Sequence, residues 1–206
     1  RFVIVEASAR DGETFDLPPQ NSASVFDTSL FQTNVANAAS VASAVGSSTA
    51  SQFSEILSYA ITVTGRVAAT ATVNTNLDES AGGGAQSVAD LNFDLATLHA
   101  CSIAGALSGS VSNGTLLGQI VLRDNTGSNW FVRSFPATPD EFAETDILPA
   151  GTYRLLSEFR LGVGANSGAS LADGSADFRL VLRVAPPPEF TAIVRDTVTT
   201  RTTWTS

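Results

Sequence analysis

The stretch Ala89-Asp90-Leu91-Asn92-Phe93-Asp94-Leu95 decides the fold class. Apolar and polar residues alternate strictly. An extended chain therefore carries Leu91, Phe93 and Leu95 on one face and Asp90, Asn92 and Asp94 on the other. The same two-residue period returns downstream. Tyr153, Leu155, Ser157, Phe159, Leu161 and Val163 lie two apart, opposed by Arg154, Glu158 and Arg160. Phe178, Leu180, Leu182 and Val184 are likewise opposed by Arg179 and Arg183. The expected core residues are Leu91, Phe93, Leu95, Phe159, Phe178 and Leu180.

Working outward, short β-prone runs alternate with turn residues. Phe2-Val3-Ile4-Val5 opens the chain, Asp11-Gly12 is a turn signal and Pro18-Pro19 interrupts regular structure. Residues 25–45, rich in Ala and Ser with Val35, Val41 and Val45, are expected to be extended. Strands are expected over 53–64 and 66–74, flanking Gly65, and over 103–110, 117–123 and 130–135. Residues 76–86 are expected to form a loop with Gly82-Gly83-Gly84 at a flexible tip. Ser112-Asn113-Gly114 and Asp124-Asn125-Thr126-Gly127 are expected turns, and 136–150 and 164–174 expected loops. Closely spaced strands and turns of this kind predict an all-β protein, an antiparallel β-sandwich of jelly-roll or Ig-like type with extended terminal strands. Its domain spans residues 1–185. Residues 186–189, within Ala185-Pro186-Pro187-Pro188-Glu189, are a stiff linker. Residues 190–206 are Thr-rich and β-branched, with Phe190, Ile193, Val194, Val198 and Trp204, and are expected to form a C-terminal strand that pairs with a sheet edge, exchanged between subunits or within one.

The 206 residues carry a net charge of −9, with 11 Arg and no Lys, which argues against sequence-independent nucleic-acid binding. Charged residues make up 15% and hydrophobic residues 43%. More than a third of the chain is Ala, Ser or Thr, and Met is absent, so Arg1 is not expected to be a translated start. This composition predicts a secreted or cell-surface protein. No apolar run has the length of a membrane-spanning helix.

Few residues offer chemistry. Asp140, Glu141, Glu144 and Asp146 concentrate carboxylates in what is expected to be a loop, the ligand type calcium takes, without an Asp-x-Asp-x-Asp-Gly pattern. A solvated acidic loop is the plainer expectation, and no cofactor is predicted beyond this calcium candidate. Asp124, Asn125 and Asn129 are a second, weaker calcium candidate, with an Asx turn as the default. The sole histidine, His99, and the sole cysteine, Cys101, do not make a tetrahedral metal site, and no Gly-x-Ser-x-Gly elbow accompanies His99. The chain is therefore not expected to be an enzyme. Asn113-Gly114-Thr115 is a glycosylation sequon at Asn113. Trp130, Trp204, Tyr59 and Tyr153 form no visible sugar platform and are expected in packing.

Three stretches carry a family resemblance. They are Ala50-Ser51-Gln52-Phe53-Ser54 through Ala68-Ala69-Thr70-Ala71, Ser87 to Leu95 followed by Ile103-Ala104-Gly105-Ala106-Leu107-Ser108-Gly109, and Leu148-Pro149-Ala150-Gly151-Thr152-Tyr153-Arg154-Leu155 closing on Ser175 to Leu182. Over residues 50–185 the chain resembles the PEP-CTERM proteins, bacterial surface proteins sorted by exosortase. Pro187-Pro188-Glu189-Phe190 departs from that family's Pro-Glu-Pro signal, and no membrane helix follows it. The resemblance implies an extracellular β-sandwich in a bacterial envelope or exopolysaccharide setting.

Two functions are expected. The first is a structural protein whose partners are copies of itself, assembling into a filament or matrix by β-strand addition of a terminal segment, residues 190–206 or residues 2–7. The alternative is a module that binds envelope or matrix polysaccharide.

Overall fold

The computed structural model describes residues 1–11, 13–24, 30–41, 43–73, 79–135, 140–166 and 171–185. They form thirteen strands: β1 (Phe2–Asp11), β2 (Thr14–Asp16), β3 (Asn21–Ser24), β4 (Phe31–Val41), β5 (Ala44–Leu57), β6 (Ala60–Thr72), β7 (Glu79–Leu95), β8 (His99–Ser112), β9 (Gly114–Asp124), β10 (Asn129–Phe135), β11 (Asp140–Leu148), β12 (Gly151–Asn166) and β13 (Leu171–Ala185). Two antiparallel sheets face each other. The first has the order β10-β9-β12-β7-β1-β2, with β3 also on β1; the second has the order β11-β8-β13-β6-β5-β4. The fold is an all-β antiparallel sandwich. No described helix is long and apolar enough to cross a membrane.

From β6 onward every connection except β9–β10 passes from one sheet to the other, the interleaving of a jelly roll. The tightest crossing is a single residue. Asn113 turns the chain from β8 into β9 with φ of 49°, a conformation Asn tolerates better than most residues. Its Nδ2 donates to Leu171 O at 2.9 Å, and Gly164 N donates to Asn113 O at 3.1 Å.

The alternation places side chains as expected. In β12, Tyr153, Leu155, Ser157, Phe159, Leu161, Val163 and Ala165 all face inward and are buried. Leu91, Leu95, Phe159, Phe178 and Leu180 are buried; Phe93 is only half-buried, stacked on Tyr153 at 5.6 Å. One end of the core is aromatic. Phe178 stacks on Phe159 at 3.9 Å, and contacts continue through Phe135 and Phe142 to Phe131. Phe178, Phe142 and Phe159 stand opposite Gly65, Gly105 and Gly118 on neighbouring strands, where each ring occupies the space a side chain would need. Gly65 therefore lies inside β6; the turn that separates β5 from β6 comes earlier, at residues 58–59.

The other end is built of Ala and Gly, and there the sheets close in. A methyl at Gly46 of β5 would lie 2.2 Å from Gly82 O and 2.5 Å from Ser8 O on the facing sheet. A methyl at Gly83 would lie 2.5 Å from Ser47 O. This corrects the expected loop over 76–86 from residue 79 onward; residues 76–78 lie outside the described residues. Gly82-Gly83-Gly84 sits inside β7, paired with β1 on one side and β12 on the other. Glycine normally weakens a strand, but close backbone approach requires it here. Two further expectations change: residues 140–148 of the expected loop 136–150 are β11, and residues 164–166 and 171–174 belong to β12 and β13. Of the stretch 25–45, expected to be extended, residues 31–41 are β4 and 44–45 open β5, while 25–29 and 42 lie outside the described residues. Residues 2–7 lie in β1, which pairs with β7 and β3 of its own chain. They are an internal strand, so the expectation that they pair with a neighbour is withdrawn.

Candidate functional site

A closed sandwich exposes two kinds of surface to a partner, strand edges and outer sheet faces. One rim is already tied down. Asn21 Nδ2 donates to Ala36 O at 2.7 Å, Asn37 Nδ2 to Pro19 O at 3.1 Å, and Ser40 N to Asp16 Oδ2 at 2.8 Å. These bonds lace the β2–β3 segment onto β4 and occupy backbone groups along that edge.

The opposite rim is formed by β10 and β11. Among the described residues β11 pairs only with β8, from Asp140 opposite Leu107 to Leu148 opposite His99. Its other edge has no partner strand among the described residues. The four carboxylates lie along this strand. Asp140, Glu144 and Asp146 share a face with buried Phe142 and Leu148, and Glu141 points to the other face. Strand geometry separates neighbours on one face by about 7 Å. Among the described residues no three His, Cys, Asp or Glu lie close enough to hold a metal, so the structure strings these carboxylates out rather than gathering them. Arg133 Nε of β10 lies 3.5 Å from Asp140 Oδ2, and its guanidinium sits 5.9 Å from the Phe142 ring centre. The Ile147 amide donates to Asp146 Oδ1 at 2.7 Å. Acidic side chains on an open strand discourage two such edges from pairing with each other. An acidic run without strict alternation looks like a loop in sequence; only the β8 ladder identifies it as an edge.

Cys101 stands opposite Asp146 in this ladder and is buried. Burial, reinforced by the Asp146 charge, pushes its thiol up to about 11. Native protein at pH 8 should therefore resist maleimide labelling, while denatured protein reacts fully. Rapid labelling of the native protein would show that this strand pair opens. Because the folded value lies above the ordinary thiol value, Cys101 lowers stability as pH rises from about 9 to 11.

The outer face of the β4–β11 sheet carries a second feature. Cross-strand rows run Gln32, Phe53, Thr64, Arg179, Ala106, Glu141 and Asn34, Ser51, Arg66, Asp177, Ser108. They line an open groove of about 1080 Å³. Phe53 is half-buried in it, and Arg66 Nε lies 3.9 Å from Asp177 Oδ1. Sequence inspection did not reveal this groove, because its residues come from six strands.

The remaining candidates are dispersed over the molecule. Asp124 Oδ1 accepts from Thr126 Oγ1, Thr126 N and Ser128 N, an Asx turn whose bonds, led by that from Thr126, hold the carboxyl below its ordinary value. His99 Nδ1 lies 2.7 Å from Thr97 O. Trp130 meets Tyr153 edge-on at 6.3 Å, and Tyr153 Oη donates to Pro149 O at 2.8 Å, so both rings serve packing. Tyr59 is exposed. Asn113 is exposed, with its amide engaged at the sheet crossing. Phe190, Ile193, Val194, Val198 and Trp204 of the expected assembly strand, and the linker before it, lie outside the described residues.

No protein-family model matches the chain, and no curated protein does. Among solved structures, the chain is similar to the enzymatically active domain of tailspike protein 4 of bacteriophage CBA120. The identity is 17% and the TM-score 0.29, over 67% of this chain and 19% of that one. It is also similar to the CBM22-1 xylan-binding domain of Paenibacillus barcinonensis Xyn10C, at 12% identity and TM-score 0.22 over 59% of this chain and 74% of that one. A structure of infectious bursal disease virus, Gx strain, matches at 10% identity and TM-score 0.29, over 91% of this chain and 56% of that one. The chain thus spans about a fifth of the tailspike chain and just over half of the viral one. The fold assignment rests on strand topology, not on these similarities.

Proposed function

We propose that this chain is a non-enzymatic structural protein of a bacterial surface or extracellular matrix, of PEP-CTERM-like type, that assembles with copies of itself by β-strand addition of residues 190–206. One observation carries the reading. β13, the last described strand, is an interior strand whose ladders with β6 and β8 are filled to Arg183 and Ala185, while β11 at the rim of the same sheet has one edge unpaired among the described residues. A β-prone segment following β13 has no place to pair beside it. Left exposed, it is an aggregation hazard, and an open edge satisfies its backbone. Repeated head to tail, a contact of this kind builds a filament where its rotation does not close a ring. A chain ending at Ala185 is expected to remain a folded monomer by light scattering and circular dichroism, while the full chain forms oligomers or fibres. Assembly of the shortened chain to the same extent would refute the reading.

The groove beneath Phe53 supports a second reading, a polysaccharide-binding module. Its Gln, Asn, Arg and carboxylate side chains both donate and accept hydrogen bonds, and the half-buried Phe53 ring lies among them. Retardation in gels containing soluble polysaccharide, lost on Phe53→Ala, is the expected result under that reading.

A further inference from the structure

We propose that β11 is the acceptor edge, and that residues 193–201 of a neighbouring copy pair with it antiparallel, Arg195 opposite Asp146 and Arg201 opposite Asp140. The inference rests on the assembly reading above and names its site. Three observations lead to it.

The first is charge spacing. Asp140 and Asp146 stand six residues apart on one face of β11. Arg195 and Arg201 are the only cations of the segment 190–206, and they also stand six apart. In an antiparallel ladder directly opposite residues share a face, so one register joins both pairs. The same register sets Ile193 opposite buried Leu148, Val194 opposite exposed Ile147 and Val198 opposite Ala143. Arg201 then shares Asp140 with Arg133, which already lies 3.5 Å from it.

The second is selectivity. Two β11 edges repel each other through their carboxylates, whereas a strand carrying two arginines and one aspartate is attracted. The acidic run thus blocks the wrong pairing and admits the right one.

The third is reach. β13 ends level with the last residues of β11, since Ala185 pairs with Ala100 and Ala100 with Ile147. A strand added beyond β11 lies three strand spacings from β13, about 14 Å. If Pro186-Pro187-Pro188 runs on from β13, it carries the chain about 9 Å past the sheet. Return to the chain's own β11 at Leu148 then requires about 16 Å, and the five residue steps from Pro188 to Ile193 span at most about 18 Å, so folding back demands a fully extended linker. A neighbour's edge has no such restriction.

The test uses the full chain with Cys101→Ser, Ala143→Cys and Val198→Cys, assembled and then oxidised. The expected product is a ladder of disulfide-linked oligomers on a non-reducing gel. A cross-linked monomer would show that the segment folds back on its own edge and would overturn the proposal. So would the absence of a cross-link in assemblies that still form, which would place the acceptor elsewhere. In a second arm, Asp146→Arg should raise the concentration needed for assembly by about tenfold. Adding Arg195→Asp should restore it; failure of that rescue would refute the register. Asp140 is left intact in this arm because of Arg133. The assembly reading has its own criterion, the chain ending at Ala185. If that chain cannot assemble yet the 143–198 cross-link is absent, only the acceptor edge is wrong.

Discussion

Phe159→Ala is expected to destabilise the protein by about 3–5 kcal/mol, the cost of a large buried aromatic removed from a packed core. Phe159 is fully buried and central to the ring chain, stacked on Phe178 at 3.9 Å and touching Phe135 at 5.9 Å. Its ring also covers Gly118, which has no side chain to fill the void left behind. The surrounding strands are held by ladders on both sides, so the cavity cannot collapse easily. The midpoint of thermal unfolding should fall by about 10 °C or more. Phe93→Ala is the internal comparison. Phe93 stands on the same core face of β7 but is half-buried at the rim, and should cost about 1–2 kcal/mol. Chemical denaturation of both variants checks the pair, and equal losses would contradict the burial described here.

Gly46→Ala is expected to cost about 3 kcal/mol, at the upper end of typical overpacking penalties. The obstacles are Gly82 O and Ser8 O, backbone atoms of the opposite sheet that cannot rotate away. Admitting one methyl group requires the sheets to separate along their whole Ala/Gly end, where Ala7, Ala9, Ala69, Ala71, Ala81 and Ala85 are packed. Gly164→Ala is the control. It lies on an outer face, where the nearest atom, Ala81 O, is 3.9 Å from the new methyl. Its stability should change by no more than about 0.5 kcal/mol. If Gly46→Ala proves as mild as Gly164→Ala, the sheets do not approach this closely.

The alternation at 89–95, 153–163 and 178–184 was sufficient for the fold class and for nearly all of the expected core. Side-chain period is a local property of an extended chain, and burial of one face imposes it directly on the sequence. Phe93 departed from the expectation because alternation reports which face a residue takes, not how near the rim it stands. Gly82-Gly83-Gly84 misled for a related reason. Their composition is that of a flexible tip, and the cause of their presence, the backbone of β5 across the sandwich, is far away in sequence. The acidic run from Asp140 to Asp146 was legible as charge and illegible as structure. The groove around Phe53 was not legible at all.

By itself, then, the sequence determined that the chain is all-β, which residues face its core, and that a β-prone segment follows a proline break. Each of these follows from neighbours along the chain. Only the tertiary structure decided that β11 is an edge and β1 is not, that the sheets nearly touch at Gly46 and Gly83, and that Asn113 carries the chain between sheets in one residue. The physical reason is that edge status, sheet separation and strand order depend on which distant strands pair. Those pairings are chosen by the packing of the whole molecule.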